Sequence, residues 1–243
     1  ALFFLVADWF KYCFLYRLFA LYLVLTEANM KLATALSKSI IWRGFYFVSV
    51  MLLNILVARH FQSEGSGQMY YVINLLAFTI ILISFCLDAP MGYYLSQKKL
   101  NETQLSLLSV GWTILIMLPG WFVIRSLPVP TDGLLTVANF HFSATSFLTG
   151  NLLISFFVAL FYAKMDFLLP NLLLVFVNVL LIALVPNKEW MSGFISNESY
   201  VQLYFFGFFM QGFLLMLAFL FRYFKWSALQ PVPAALLKSF FSF

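Results

Sequence analysis

Six apolar runs, each about long enough to cross a bilayer, dominate this chain, and a water-soluble fold has no interior large enough to hide them all. A hydrocarbon core of about 30 Å takes roughly 20 helical residues. The runs lie at about 39–58, 69–97, 105–124, 143–163, 167–185 and 200–221. Only 9% of the 243 residues are charged and 63% are hydrophobic, where a soluble domain carries about a quarter charged. These numbers exclude soluble globular, disordered, collagen-like and disulfide-rich classes. Cys13 and Cys86 both sit in apolar runs, and neither a Cys-x-x-Cys pair nor a Cys/His cluster exists.

The residues between runs predict the connections. Arg59 to Gln68, with its Gly-Ser-Gly, reads as a polar loop, and Pro90 predicts a kink in the second run. The stretch LPVPTDG after Arg125 opens a longer loop expected to last to about residue 142. Only Met165 and Asp166 separate Lys164 from the fifth run, so runs four and five form an antiparallel hairpin. Tyr70, Tyr93, Tyr94, Trp190, Tyr200, Tyr223 and Trp226 fall near run ends, where interfacial aromatics belong.

If each run crosses once, Lys31, Lys38, Arg43, Lys98, Lys99, Lys164, Arg222, Lys225 and Lys238 lie on one side and only Arg59, Arg125 and Lys188 on the other. By the positive-inside rule the side with nine is cytoplasmic, and both ends of the region 39–243 lie there. The net charge of +5 then needs no nucleic-acid partner. Residues 1–29 are apolar but carry Asp8, Lys11 and Arg17. A further span, an interfacial amphipathic helix and an extension upstream of a start at Met30 compete for them, and the extension is preferred.

From Met30 onward the chain resembles the amino-terminal half of polysaccharide-export flippases, of the multidrug/oligosaccharidyl-lipid/polysaccharide superfamily. The resemblance rests on MKLATALSKSIIWRGF, ILVARHFQSEGSGQMYYVINLLAF, LDAPMGYYLSQKK and ALFYAKMDFLLPNLLL, and on PAALLKSFFSF, which is similar to the lead-in to a seventh span. It implies an all-α integral membrane protein whose residues 30–243 form one six-transmembrane-helix lobe of a two-lobe transporter, with the second lobe missing from this sequence. It also implies the bacterial inner membrane and a lipid cargo, a polyprenyl-pyrophosphate-linked oligosaccharide, flipped by alternating access. One lobe alone is expected to be inactive.

Asp88 and Arg43 are the most informative charges. An Asp inside an apolar run costs about 2.5 to 3.5 kcal/mol at mid-helix, so it faces a cavity or partner, or is part of a polar helix break with Pro90. As a cavity residue it would bind a cation, a proton or the substrate. Arg43 either snorkels to the head groups or, as the resemblance implies, meets the cargo pyrophosphate through its guanidinium fork. Asn151, Asn178 and Gln211 are substrate-cavity candidates, although amides within apolar runs, including Asn54, Asn74 and Asn171, more often join helices. His60 and His141 are 81 residues apart in expected loops, with no third ligand near in sequence, so no metal site is expected.

No paired-carboxylate motif suited to a transferase is present, and the loops are too short for a catalytic domain, so no enzyme is expected. No cofactor is expected beyond coupling to H+ or Na+. The rival is a drug or cation antiporter of the same superfamily, with Asp88 as the ion site, and a membrane-embedded transferase ranks below it.

Overall fold

In the computed structural model, residues 31–84, 87–126, 137–185 and 196–228 are described. Contacts divide the chain at 41/42 into two units, Ala1–Ile41 and Trp42–Phe243. The division falls within a helix, and the expected extension 1–29 lies outside the described residues. The bundle described below belongs to the second unit.

All regular structure among the described residues is helical, with no strand. The helices are α1 (Lys31–Ser84), α2 (Asp88–Ser96), α3 (Glu102–Ser126), α4 (Val137–Ala163), α5 (Leu168–Ala183) and α6 (Asn197–Tyr223), followed by a 3-10 turn at Trp226–Ala228. Segments Ser37–Ser63, Glu102–Ser126, Asn139–Ala163 and Asn197–Tyr223 are each long and apolar enough to cross a membrane. A 25-residue helix such as α3 is about 37 Å long, more than the hydrocarbon core. The helix Leu168–Ala183 is apolar but shorter. This composition and length fit a membrane-embedded protein.

The expected loop from Arg59 to Gln68 is instead helical on both sides of one residue. Gln62 (φ 56°, ψ −162°) breaks α1 into limbs 31–61 and 63–84. Ser66 closes the first turn after the break by donating its hydroxyl to the Gln62 carbonyl. The flexible-looking Ser-Glu-Gly-Ser-Gly stretch therefore runs on as helix, because a single residue of positive φ is enough to redirect the chain. The second run is interrupted between Ser84 and Asp88, and Pro90 lies in the first turn of α2. Proline is tolerated there because the first-turn N–H groups have no partner within the helix. The loop expected to reach residue 142 ends earlier, since α4 begins at Val137, so both His60 and His141 are helical.

Two helix ends close in the same way without glycine. At Met165 (φ 59°) the amide donates to the Tyr162 carbonyl at 3.0 Å, and the Asp166 amide to Phe161 at 3.0 Å. At Lys98 (φ 56°) the amide donates to Leu95 at 3.1 Å, and the Lys99 amide to Tyr94 at 3.0 Å. Both are Schellman ends, and they give the short α2–α3 and α4–α5 links. Ser196 caps α6 by accepting from the Ser199 amide at 3.1 Å, with Glu198 in the first turn and Arg222 in the last, as the helix dipole favours.

The α4–α6 pair is the centre of the bundle. A Cβ on Gly150 would overlap the backbone of Phe208, and one on Gly212 would stand 2.5 Å from the Gly150 carbonyl oxygen. Both glycines therefore let two backbones touch, the packing mode open to helices that gain nothing from leaving water. Interlocked rings fill the rest of the seam, with Phe161 edge-on to Phe219 at 5.1 Å and Phe147 to Phe208 at 4.8 Å. α3 adds a face of small and hydroxyl residues, Thr103, Ser106, Ser109, Thr113 and Gly120, all buried. Ser109 and Thr113 satisfy their hydroxyls on carbonyls one turn back, at 2.8 Å each.

Candidate functional site

Three groups of polar residues join helices inside this apolar bundle: Ser49, Asn178 and Gln211; Arg43, Tyr162 and Asn171; and Tyr70, Asn54 and Tyr204. Asn171 and Asn178 stand seven residues apart on α5, and Tyr204 and Gln211 seven apart on α6, so each pair lies on one helix face. Asn178 and Gln211 are almost completely buried. The Gln211 Nε2 donates to the Asn178 Oδ1 at 2.7 Å and more weakly to the Leu174 carbonyl at 3.4 Å. The Asn178 Nδ2 donates to the Ser49 hydroxyl at 2.9 Å, which in turn donates to the Tyr46 carbonyl at 2.7 Å. The Gln211 Oε1 is buried without a hydrogen-bond partner.

The second group holds a cation. The Arg43 Nε donates to the Tyr162 hydroxyl at 3.3 Å, and its guanidinium carbon lies 4.5 Å from the centre of that ring. Asn171 and the Tyr162 hydroxyl are 3.0 Å apart, and the Asn171 Nδ2 also donates to the Phe167 carbonyl at 2.6 Å. Among the described residues no carboxylate pairs with Arg43. Arg43 is half-buried, so it is neither sealed in the core nor free in solvent. Further along, the Tyr204 hydroxyl donates to the Asn54 Oδ1 at 3.4 Å, and the Tyr70 hydroxyl to the Asn54 carbonyl at 3.1 Å.

Of the residues singled out from sequence, the structure brings Asn178 and Gln211 into direct contact between α5 and α6, and sets Arg43 of α1 apart from them, against Tyr162 of α4. Asn151 is elsewhere: its amide donates to the Phe147 carbonyl of its own helix at 2.9 Å. Asp88 is half-buried in the first turn of α2, where the helix dipole favours a carboxylate. Arg43 and Asp88 do not pair. Ser49, Tyr162 and Tyr204 were missed by the sequence reading. The seven-residue spacings on α5 and α6 were the signal for two of the four helices, whereas Ser49 and Tyr162 carry no pattern that sets them apart from other apolar-run residues.

Charge collects at one end of the bundle. Lys164 pairs with Glu102, and Arg222 with Asp166 at 3.1 Å, while the Tyr223 hydroxyl donates to the same Asp166 oxygen at 3.3 Å. Lys164 and Asp166, two residues apart in the α4–α5 turn, thus serve different partners across the bundle. Thr103 accepts from the Lys225 amide at 3.1 Å and ties the start of α3 to the chain after α6. At the other end the His60 ring and Asn197 are 3.0 Å apart, Asn139 bonds Glu198, and the Arg125 guanidinium lies over Trp121. Among the described residues no three His, Cys, Asp or Glu side chains gather as a metal site. No family model, curated protein or solved structure matches the chain.

Proposed function

We propose that the chain is a six-span helical lobe of a flippase that moves a polyprenyl-pyrophosphate-linked oligosaccharide across a bacterial inner membrane by alternating access. The observation that carries this reading is Arg43, a cation without a carboxylate partner among the described residues, stacked on Tyr162 and bonded to its hydroxyl beside the buried Asn171. Polar networks inside apolar helices are costly unless satisfied, and an arginine there favours a phosphate-bearing ligand, whose oxygens match the guanidinium fork. Asn178 and Gln211 are a neutral amide pair sealed in this state, and a parting of α5 and α6 in alternating access would expose them to sugar hydroxyls, with the Gln211 Oε1 as an acceptor. The uneven Lys and Arg distribution supports placing the Lys164 and Arg222 end in the cytoplasm.

Deleting the encoding gene tests this. The expected outcome is loss of surface polysaccharide, accumulation of the lipid-linked repeat unit in the membrane, and unchanged susceptibility to lipophilic cations. Intact polysaccharide with heightened cation sensitivity would overturn the reading in favour of an antiporter that uses Asp88. In the flippase, Arg43→Gln should lower export by about tenfold or more, the scale of one lost charge-assisted contact, while Arg43→Lys keeps part of it.

A further inference from the structure

Tyr162 is fixed from three directions before it meets Arg43. Its carbonyl accepts the Met165 amide at 3.0 Å, within the turn that joins α4 to α5. Its ring lies against the Phe167 ring at 5.1 Å, and its hydroxyl lies against Asn171, which is 1% exposed. The Asn171 Nδ2 donates to the Phe167 carbonyl at 2.6 Å, so its Oδ1 accepts the Tyr162 hydroxyl proton at 3.1 Å. The hydroxyl oxygen is thereby left as an acceptor, and the Arg43 Nε donates to it at 3.3 Å. The guanidinium carbon lies 4.5 Å from the centre of the same ring. Two contacts, one through Nε and one through the π face, thus hold a planar group in one orientation. Among the described residues no carboxylate takes the edge that carries the two terminal nitrogens.

We infer that Tyr162 and Asn171 are the positioning pair of a phosphate-binding site, aiming the terminal edge of Arg43 at an oxyanion that offers two oxygens. The inference rests on the reading of Arg43 as the cation that meets a phosphate, and adds what orients that cation. A free arginine side chain loses rotamer freedom when it binds, whereas one already stacked and bonded has lost it on folding. The α4–α5 turn makes the seat, since Tyr162 stands before it and Phe167 and Asn171 after it. Only a guanidinium uses this seat in full, because an ammonium has no Nε to bond and no edge to aim. The site therefore grips a phosphate edge-on and gives no such grip to a neutral lipid alcohol.

The test uses the purified 243-residue chain in detergent, with retained lipid counted by native mass spectrometry. A long polyprenyl phosphate and the polyprenol of the same length are the probes, and the ratio of their retention is the quantity read. Arg43→Gln should lower that ratio about tenfold, the scale of one charge-assisted contact. Tyr162→Phe keeps the ring but loses the acceptor for Nε, so the ratio should fall about threefold, and Asn171→Leu should do the same by freeing the hydroxyl to turn. In an Arg43→Lys background Tyr162→Phe should leave the ratio unchanged, because no Nε–H remains to be accepted. A tyrosine that only supports the bundle would change both backgrounds alike. Circular dichroism and gel filtration establish that each variant is folded before it is compared. A full ratio in Tyr162→Phe, or equal losses in the arginine and lysine backgrounds, would overturn the positioning pair and leave Arg43 as a phosphate-binding cation. An unchanged ratio in Arg43→Gln would overturn the phosphate reading and this inference with it.

Discussion

Lys98 and Met165 hold left-handed backbone where glycine would be free of strain, at φ 56° and 59°. A side chain there costs about 1 kcal/mol against glycine, so Lys98→Gly and Met165→Gly should each raise stability by about that amount. Thermal unfolding in detergent reads the shift, and a loss of stability in both would show that these links are not Schellman ends. The seam residues behave differently, because they depend on one another. Asn178→Leu leaves the Gln211 amide and the Ser49 hydroxyl short of a partner, and should cost about 1 to 2 kcal/mol. Gln211→Leu should cost less in that background than alone, which a double-mutant cycle measures. The single residues that carry these contacts were partly visible in advance. Asn178 and Gln211 stood out as amides in apolar runs, whereas Ser49 and Tyr162 did not, since a hydroxyl in a membrane helix can satisfy itself on its own backbone.

Helices meet in this bundle through contacts that composition does not reveal. Gly150 and Gly212 permit backbone contact between α4 and α6, so Gly150→Val should force the helices apart and cost about 3 kcal/mol. Gly207→Ala should cost less, because the group it meets is the Leu181 side chain, 2.6 Å away, rather than backbone. Unfolding of both variants in the same detergent ranks them, and equal losses would place the close approach elsewhere. Helix existence was legible from apolar length alone, and the short α4–α5 link from Met165 and Asp166, but the two helices pack on α6 rather than on each other as the expected hairpin. Helix ends were not. The expected loop from Arg59 to Gln68 became helix because glycine and serine in a short stretch do not by themselves unwind it, and the turn was made by Gln62. The second run's interruption lies before Asp88, and Pro90 was the only local sign of it.

At the scale of the whole molecule, the ends of the bundle differ in charge. Glu102–Lys164 and Asp166–Arg222 join α3, the α4–α5 turn and α6 at one end, where partial exposure limits each pair to a fraction of a kcal/mol, up to about 1. Single cysteines at Lys98, Met165 and Arg222 should therefore react with an impermeant thiol reagent from the same side of the membrane, and cysteines at Arg59 and Arg125 from the opposite side. Labelling of Met165 and Arg125 from one side would refute the crossing pattern.

What the sequence determined by itself was solvent and local form: runs of apolar residues broken so rarely by charge require a helical, lipid-facing protein, because only internally bonded backbone survives in hydrocarbon. It also marked Arg43 and the amides that such a medium tolerates only with partners. Which partners they take was decided by the tertiary structure. In lipid both faces of a helix are apolar, so no alternation of polar and apolar residues tells the buried face from the exposed one. Arg43 meets Tyr162, and Ser49 meets Asn178 and Gln211, only in the tertiary structure, where Gly150 and Gly212 let the α4 and α6 backbones touch and Gly207 makes room for Leu181 of α5, and such packing depends on shape rather than on hydrophobicity.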